Sequence, residues 1–138
     1  MPQSIIVQGI DHVAINVRDM EAMTAFYSDI LGCVVERLNE AAGLVHLRAG
    51  NTLIDLIDSN GPLGPATPAG YRNRLNHLCL TASNFDAKLL RETFISKGVA
   101  VGAIKERYGS TGASRTLYFR DPENNGLELR DAGGIDGR

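Results

Sequence analysis

The chain is predicted to fold as an α+β protein built from two βαβββ modules, and three observations carry that prediction. A strand-like run containing a histidine occurs twice, as Ile10-Asp11-His12-Val13-Ala14-Ile15 and as Leu75-Asn76-His77-Leu78-Cys79-Leu80. Each copy continues into a capped amphipathic segment with helical spacing. Each then closes with three short strand-like segments, the last centred on a carboxylate: Asp55 in Leu53-Ile54-Asp55-Leu56 and Glu128 in Leu127-Glu128-Leu129. An internal repeat that presents a histidine and an acid each time points to a site built from two halves.

In the first module, residues 10–17 alternate, with Val13, Ile15 and Val17 on one side and His12, Ala14 and Asn16 on the other, the period of a half-buried strand. Asp19 is the expected N-cap of a helix over 20–31, because Met20, Met23, Phe26/Tyr27 and Ile30/Leu31 recur at helical spacing. Gly32 suits the left-handed position that ends it. Strands are expected at Val34–Leu38, Gly43–Arg48 and Thr52–Ile57, with Ala49-Gly50-Asn51 as the turn between the last two. Residues 58–74 hold Gly61-Pro62, Gly64-Pro65, Pro68 and Gly70, too broken for regular structure; they read as the linker between modules or a loop over the site.

The second module repeats the order. A strand is expected at Leu75–Ala82 and a helix from Ser83 or Asn84 to Gly98, with Ser83-Asn84-Phe85-Asp86 as a capping box. Strands follow near Val99–Lys105, Arg115–Arg120 and Gly126–Arg130. The turn Asp121-Pro122-Glu123-Asn124-Asn125-Gly126 closes the last hairpin, since Pro presets φ and Asn and Gly tolerate positive φ. The organisation is thus one domain over 9–131, with module one at 9–58, a linker at 59–74, module two at 75–131 and a flexible tail at 132–138.

Bulk properties narrow the function classes. With 138 residues, 43% hydrophobic and 22% charged, the chain can bury a real core. A net charge of −2 without a basic run leaves no electrostatic footprint for nucleic acid or an anionic membrane. No apolar run approaches the roughly 18 residues of a membrane helix. Only Cys33 and Cys79 occur, far apart and without a CxxC pair, so reduced thiols in a cytoplasmic protein are expected. The expected partner is a small-molecule substrate or a second copy of the chain.

If each helix covers the apolar side of its sheet, His12, Asp55, His77 and Glu128 all point to the other side, because Ile54/Leu56 and Leu127/Leu129 flank the acids. Imidazole nitrogen with carboxylate oxygen is a donor set for a divalent transition metal with open positions. The plain alternative is two satisfied core histidines and two surface acids, which the repeat disfavours. His46 and Tyr118 occupy matching places in the third strands; with Arg48 and Arg120 they share the parity of the site face and could move protons or bind substrate, or simply pack. Cys79 reads as a small buried hydrophobe. Arg107, Tyr108, Ser110, Thr111 and Ser114 cluster in an expected loop that could hold an anionic substrate group or be plain surface.

The openings IDHVAINV and LNHLCL, the helix end FYSDILG and the closing YFRDPENNGLELR resemble the vicinal oxygen chelate superfamily, also called glyoxalase/bleomycin resistance/dioxygenase proteins, over about residues 9–131. The resemblance implies two βαβββ modules forming an open cup-shaped mixed sheet with one helix behind each module, and a homodimer. It implies one divalent metal ion (Ni, Zn, Mn, Co or Fe). In glyoxalase I-like members the ligand positions fall here on His12, Asp55, His77 and Glu128. In extradiol dioxygenases and fosfomycin-resistance enzymes they fall on His12, His77 and Glu128 alone. Asp55 departs from the usual Glu, so it ligates or serves as an acceptor beside the metal.

The leading function is a metal-dependent lyase, isomerase or epimerase of glyoxalase type on a small oxygenated substrate that chelates the metal. Glu128, or Asp55 if it is not tightly bound to the metal, would be the proton acceptor, and His46, Tyr118, Arg107 and Arg120 the substrate-binding residues. The alternative is an Fe(II) extradiol ring-cleaving dioxygenase. A fosfomycin-resistance-type transferase ranks third, with Ala14 where that group has a hydroxyl residue, followed by a metal-free drug-binding protein.

Overall fold

In a computed structural model the chain is described over residues 5–64 and 75–133. It divides into two compact units, residues 1–69 and 70–138, each with one open four-stranded mixed sheet and its own helix.

In the first unit β1 (His12–Val17) leads to α1 (Met20–Ala25), which runs on as a π-turn over Phe26–Ile30, and then to β2 (Val34–Asn39), β3 (Leu44–Ala49) and β4 (Thr52–Asp58). The Asp19 carboxylate caps α1 by accepting from the Ala22 N–H at 3.0 Å, and Gly32 closes the helical segment at φ +73°. The sheet order is β1-β4-β3-β2, with β1 parallel to β4 and the hairpin strands antiparallel. Val45 opposes Leu56 and Leu47 opposes Ile54, and all four are buried. Between them His46 opposes Asp55, which puts these two on the other face.

The second unit repeats the plan with β5 (Leu78–Ala82), α2 (Ala87–Ser96), β6 (Lys105–Gly109), β7 (Gly112–Arg120) and β8 (Gly126–Asp131), in the order β5-β8-β7-β6. Leu117 opposes Leu129 and Phe119 opposes Leu127 on the buried face, where Phe119 meets Phe94 of α2 edge-on, ring centroids 4.9 Å apart. On the other face Tyr118 opposes Glu128.

Four expectations need correction. The strand expected at Val99–Lys105 lies at Lys105–Gly109 instead; Val101 makes only an isolated bridge to Phe119. Segment 105–109 is a sheet edge, where exposed charged side chains are normal, so it lacked the apolar signal sought. The residues expected to form a loop, Arg107 to Ser114, are a tight hairpin turning at Ser110-Thr111, with Gly112 at φ +96° and the Ser114 hydroxyl buried against the Asp131 carbonyl at 2.5 Å. The α2 cap is Asp86, accepting from the Leu89 N–H at 3.1 Å, rather than the start of the Ser83 box. Finally, β5 begins at Leu78, so His77 stands just ahead of its strand.

The turn after β7 follows its chemistry: the Asp121 carboxylate accepts from the N–H groups of Glu123 and Asn125, both at 3.0 Å, and Asn124 takes the left-handed conformation at φ +71°. Residues 65–74 of the expected linker or loop, and 134–138 of the expected tail, lie outside the described residues.

Candidate functional site

Each unit builds the same arrangement from residues that the strand register sets side by side. In the first, the His12 ring donates through Nδ1 to the Asp11 carboxylate, 2.7 Å away, and turns Nε2 toward Asp55 Oδ2 at 3.9 Å. The second Asp55 oxygen, Oδ1, is 2.7 Å from Nδ1 of His46, its cross-strand neighbour. In the second unit His77 donates through Nδ1 to the Asn76 side-chain oxygen at 2.7 Å and turns Nε2 toward Glu128 Oε2 at 3.6 Å. Glu128 Oε1 accepts from the Tyr118 hydroxyl at 3.0 Å.

Both carboxylates are buried, Asp55 to 7% exposure and Glu128 to 5%, while both histidines reach solvent. One oxygen of each acid is thus fixed by a neighbour on the next strand, and the other faces an imidazole. Because an oxygen acceptor holds each Nδ1–H, Nε2 of the neutral ring is the acceptor nitrogen in both units. In both units a nitrogen lone pair then faces a carboxylate oxygen across a gap too wide for a hydrogen bond. Among the described residues no group of three or more His, Cys, Asp or Glu side chains is placed to hold a metal ion. Each half supplies a pair.

The electrostatics follow from these contacts. His12 is held above the ordinary histidine range, chiefly by its bond to Asp11 and next by the Asp55 carboxylate. The Tyr118 hydroxyl is pushed up by desolvation and by Glu128, to which it donates, while the Arg107 guanidinium beside it pulls the other way. Cys79, expected to be a small buried hydrophobe, is instead exposed as a residue because it lies on the site face opposite Glu128, and its thiol is pushed up to about 12 by desolvation and that carboxylate, so it stays protonated.

Of the expected substrate-binding residues, His46 and Tyr118 lie on the site face and contact the two acids, and Arg107 reaches Tyr118. Arg120 donates to the Asn124 carbonyl at 3.0 Å, bracing the β7–β8 turn. It also edges an open cleft of about 330 Å³ in the second unit, lined by His77, Tyr118, Val101, Phe119 and Leu127 among others. Gly126 has no room for a side chain here, since a Cβ would stand 2.6 Å from the Asn76 carbonyl oxygen. Sequence reasoning missed two features. Asp11 and Asn76, each directly before a histidine, orient the rings, a signal present in the repeat itself. Arg130 shares the parity of Glu128 and lies on the site face, buried to 5% exposure.

The chain belongs to the Glyoxalase/Bleomycin resistance protein/Dioxygenase superfamily, whose family model matches residues 9–129. It is 30% identical over 109 residues to the human mitochondrial methylmalonyl-CoA epimerase, a match covering 68% of this chain and 60% of that protein. The chain spans about half to three-fifths of the length of the mouse and human epimerases. A virulence protein of Salmonella typhimurium is 26% identical over 129 residues, covering 91% of this chain and 85% of that one. Its crystal structure superimposes with a TM-score of 0.75 at 25% identity over 92% and 98% of the two chains. An integron cassette protein of V. cholerae superimposes with a TM-score of 0.78 at 25% identity over 93% and 98%.

Proposed function

We propose that the protein is a metal-dependent enzyme of glyoxalase type, a lyase, isomerase or epimerase, in which His12, Asp55, His77 and Glu128 hold one divalent ion of Ni, Zn, Mn, Co or Fe. The observation that carries this reading is the pair of opposed acceptors in each unit. An imidazole nitrogen lone pair and a carboxylate oxygen facing each other repel unless a cation, or a proton on the ring, stands between them. Separations of 3.6 and 3.9 Å are slightly wider than the ~3.4 Å between two donors bound at ~2.1 Å to a tetrahedral ion, so the residues fit such a cation. Since each unit supplies two donors, the full set needs both halves, from one chain or from two copies. A homodimer is supported by the exposed apolar side chains Ile5, Ile6, Val7 and Ile10. Its proposed location is the cytoplasm.

A divalent ion bound there would supply Lewis acidity toward two substrate oxygens. The protein's own residues would handle the proton. Glu128, or Asp55 where it is not tightly held to the metal, would accept it from the substrate carbon, and His46, bonded to one oxygen of Asp55, keeps that carboxylate oriented. Tyr118 does the same for Glu128, so either acid presents one defined oxygen. Arg107 and Arg120 offer cationic donors on the second unit's side for an anionic part of the substrate.

Similarity to the epimerases makes methylmalonyl-CoA the first substrate to assay. Protein purified without an affinity tag should carry one divalent ion per chain by elemental analysis, and Asp55→Asn should lower turnover by roughly 10²–10⁴-fold, the scale of a lost general base. Metal content far below one per chain, or oxygen uptake with a catechol by the iron-loaded protein, would overturn the reading.

A further inference from the structure

Arg130 is a cation in an unusual position. It lies on β8 two residues beyond Glu128 and on the same face of the sheet, opposite Thr116 of β7 and Thr81 of β5. The first unit has Ile57 at the corresponding place, two residues beyond Asp55, so this charge has no counterpart in the repeat. The side chain crosses the sheet face toward the β6–β7 turn, where Nη2 donates to the Gly112 carbonyl at 2.7 Å. The guanidinium occupies the space over Gly109, and any Cβ at that position would collide with Nη1. With 5% of its surface exposed, Arg130 forms no ion pair with a carboxylate among the described residues, and its Nε–H is buried without a hydrogen-bond partner.

Such an arrangement is costly. A buried guanidinium without an ion-paired carboxylate among the described residues, and with one donor unmet, is destabilising unless something supplies the missing acceptor. Two of the hydroxyls next to it are spent elsewhere: Ser114 on the Asp131 carbonyl and Thr116 on the Lys105 carbonyl. Arg107, opposite Ser114 in the register, adds a second cation to the same face. We propose that Arg130, supported by Arg107, is a subsite for a carboxylate of the substrate, which makes the substrate class a carboxylic acid with a second, metal-chelating oxygen group. A planar carboxylate suits a buried Nε–H edge better than a tetrahedral phosphate, whose three outer oxygens need donors on several sides. The chelating group rests on the metal of the proposed function, whereas the carboxylate subsite itself does not require a metal.

The test uses the full chain, once as purified and once after chelator treatment. Succinate and inorganic phosphate are titrated while the arginine Nε–H signals are followed by ¹H–¹⁵N NMR, with Arg130 assigned by its loss in Arg130→Lys. The Arg130 Nε–H signal should move saturably with succinate in both metal states. Arg130→Gln should weaken succinate binding roughly tenfold or more while leaving metal content unchanged. A stationary Arg130 signal, or unchanged succinate affinity in Arg130→Gln, overturns the subsite even if the metal is present. Tighter binding of phosphate than of succinate overturns the carboxylate assignment. Arg130-dependent succinate binding in a protein that takes up no metal would sink the metal reading and leave this one standing. If Arg130→Gln fails to fold, the wild-type signal alone decides.

Discussion

The two units keep buried apolar residues at matching positions of one face, while the other face differs in chemical kind. Ile54 and Leu56 in the first correspond to Leu127 and Leu129 in the second, and all four are buried. On the other side Asp11 becomes Asn76, His46 becomes Tyr118, Asp55 becomes Glu128, Ala14 becomes Cys79 and Ile57 becomes Arg130. Packing constrains one side, because volume changes of even a methylene are felt in a close-packed core. On the other side only geometry is kept: a histidine with its Nδ1 tied, facing an acid with one oxygen tied. The first half retains a carboxylate behind its histidine and a titratable partner on its acid.

The sharpest way to break that comparison is to delete one histidine at a time. His12→Ala and His77→Ala should each abolish stoichiometric metal binding, measured by elemental analysis, with the fold retained because both rings lie outside the helix-packed core. If one variant keeps its metal while the other loses it, the halves are not equivalent ligand donors. Next in size, the shared apolar face should respond alike on both sides. Leu56→Ala and Leu127→Ala, buried to 0% and 1% exposure, should each cost roughly 2–5 kcal/mol in urea unfolding. A loss in only one of them would mean that only one sheet is packed as tightly as its burial suggests.

The smallest effect concerns the single thiol of the first unit. Burial raises the Cys33 pKa, so the folded protein holds this proton more tightly than the unfolded chain does. The stabilisation is therefore complete below the ordinary thiol pKa of about 8.5 and is lost as pH climbs through the higher folded value. Cys33→Ala should flatten that alkaline decline in unfolding free energy. An identical slope in the variant would refute the assignment.

Much of this plan was legible because the repeat supplied its own alignment. The caps at Asp19 and Gly32, the alternation through His12 and the flanked acids at Asp55 and Glu128 all follow from local chemistry, and each appears in the structure as expected. What was illegible depended on neighbours. Segment 105–109 carries Lys, Glu and Arg because it is an edge, and without knowing the sheet order those residues look like a loop. Val99 and Val101 have strand-forming side chains, but Gly98 at φ +79° breaks the run before them. Arg130 gave no sign of its burial, since arginine is usually exposed and only Gly109, with no side chain, makes room for it. The His46–Asp55 and Tyr118–Glu128 bonds needed the register, which sequence alone leaves open by a residue in either direction.

The parallel pairing that brings each histidine to its acid also fixes when the site can exist. In both units the hairpin strands meet neighbours close in the chain, but residue 12 must find residue 53, and residue 78 must find residue 127, across the whole length of the module. Long loops close slowly, so the histidine-bearing strand should be the last to dock during folding and the first to detach in native-state hydrogen exchange. A nascent or partly opened unit would then hold its carboxylate in place with no imidazole facing it. Capture of an ion between the two would report that folding had finished.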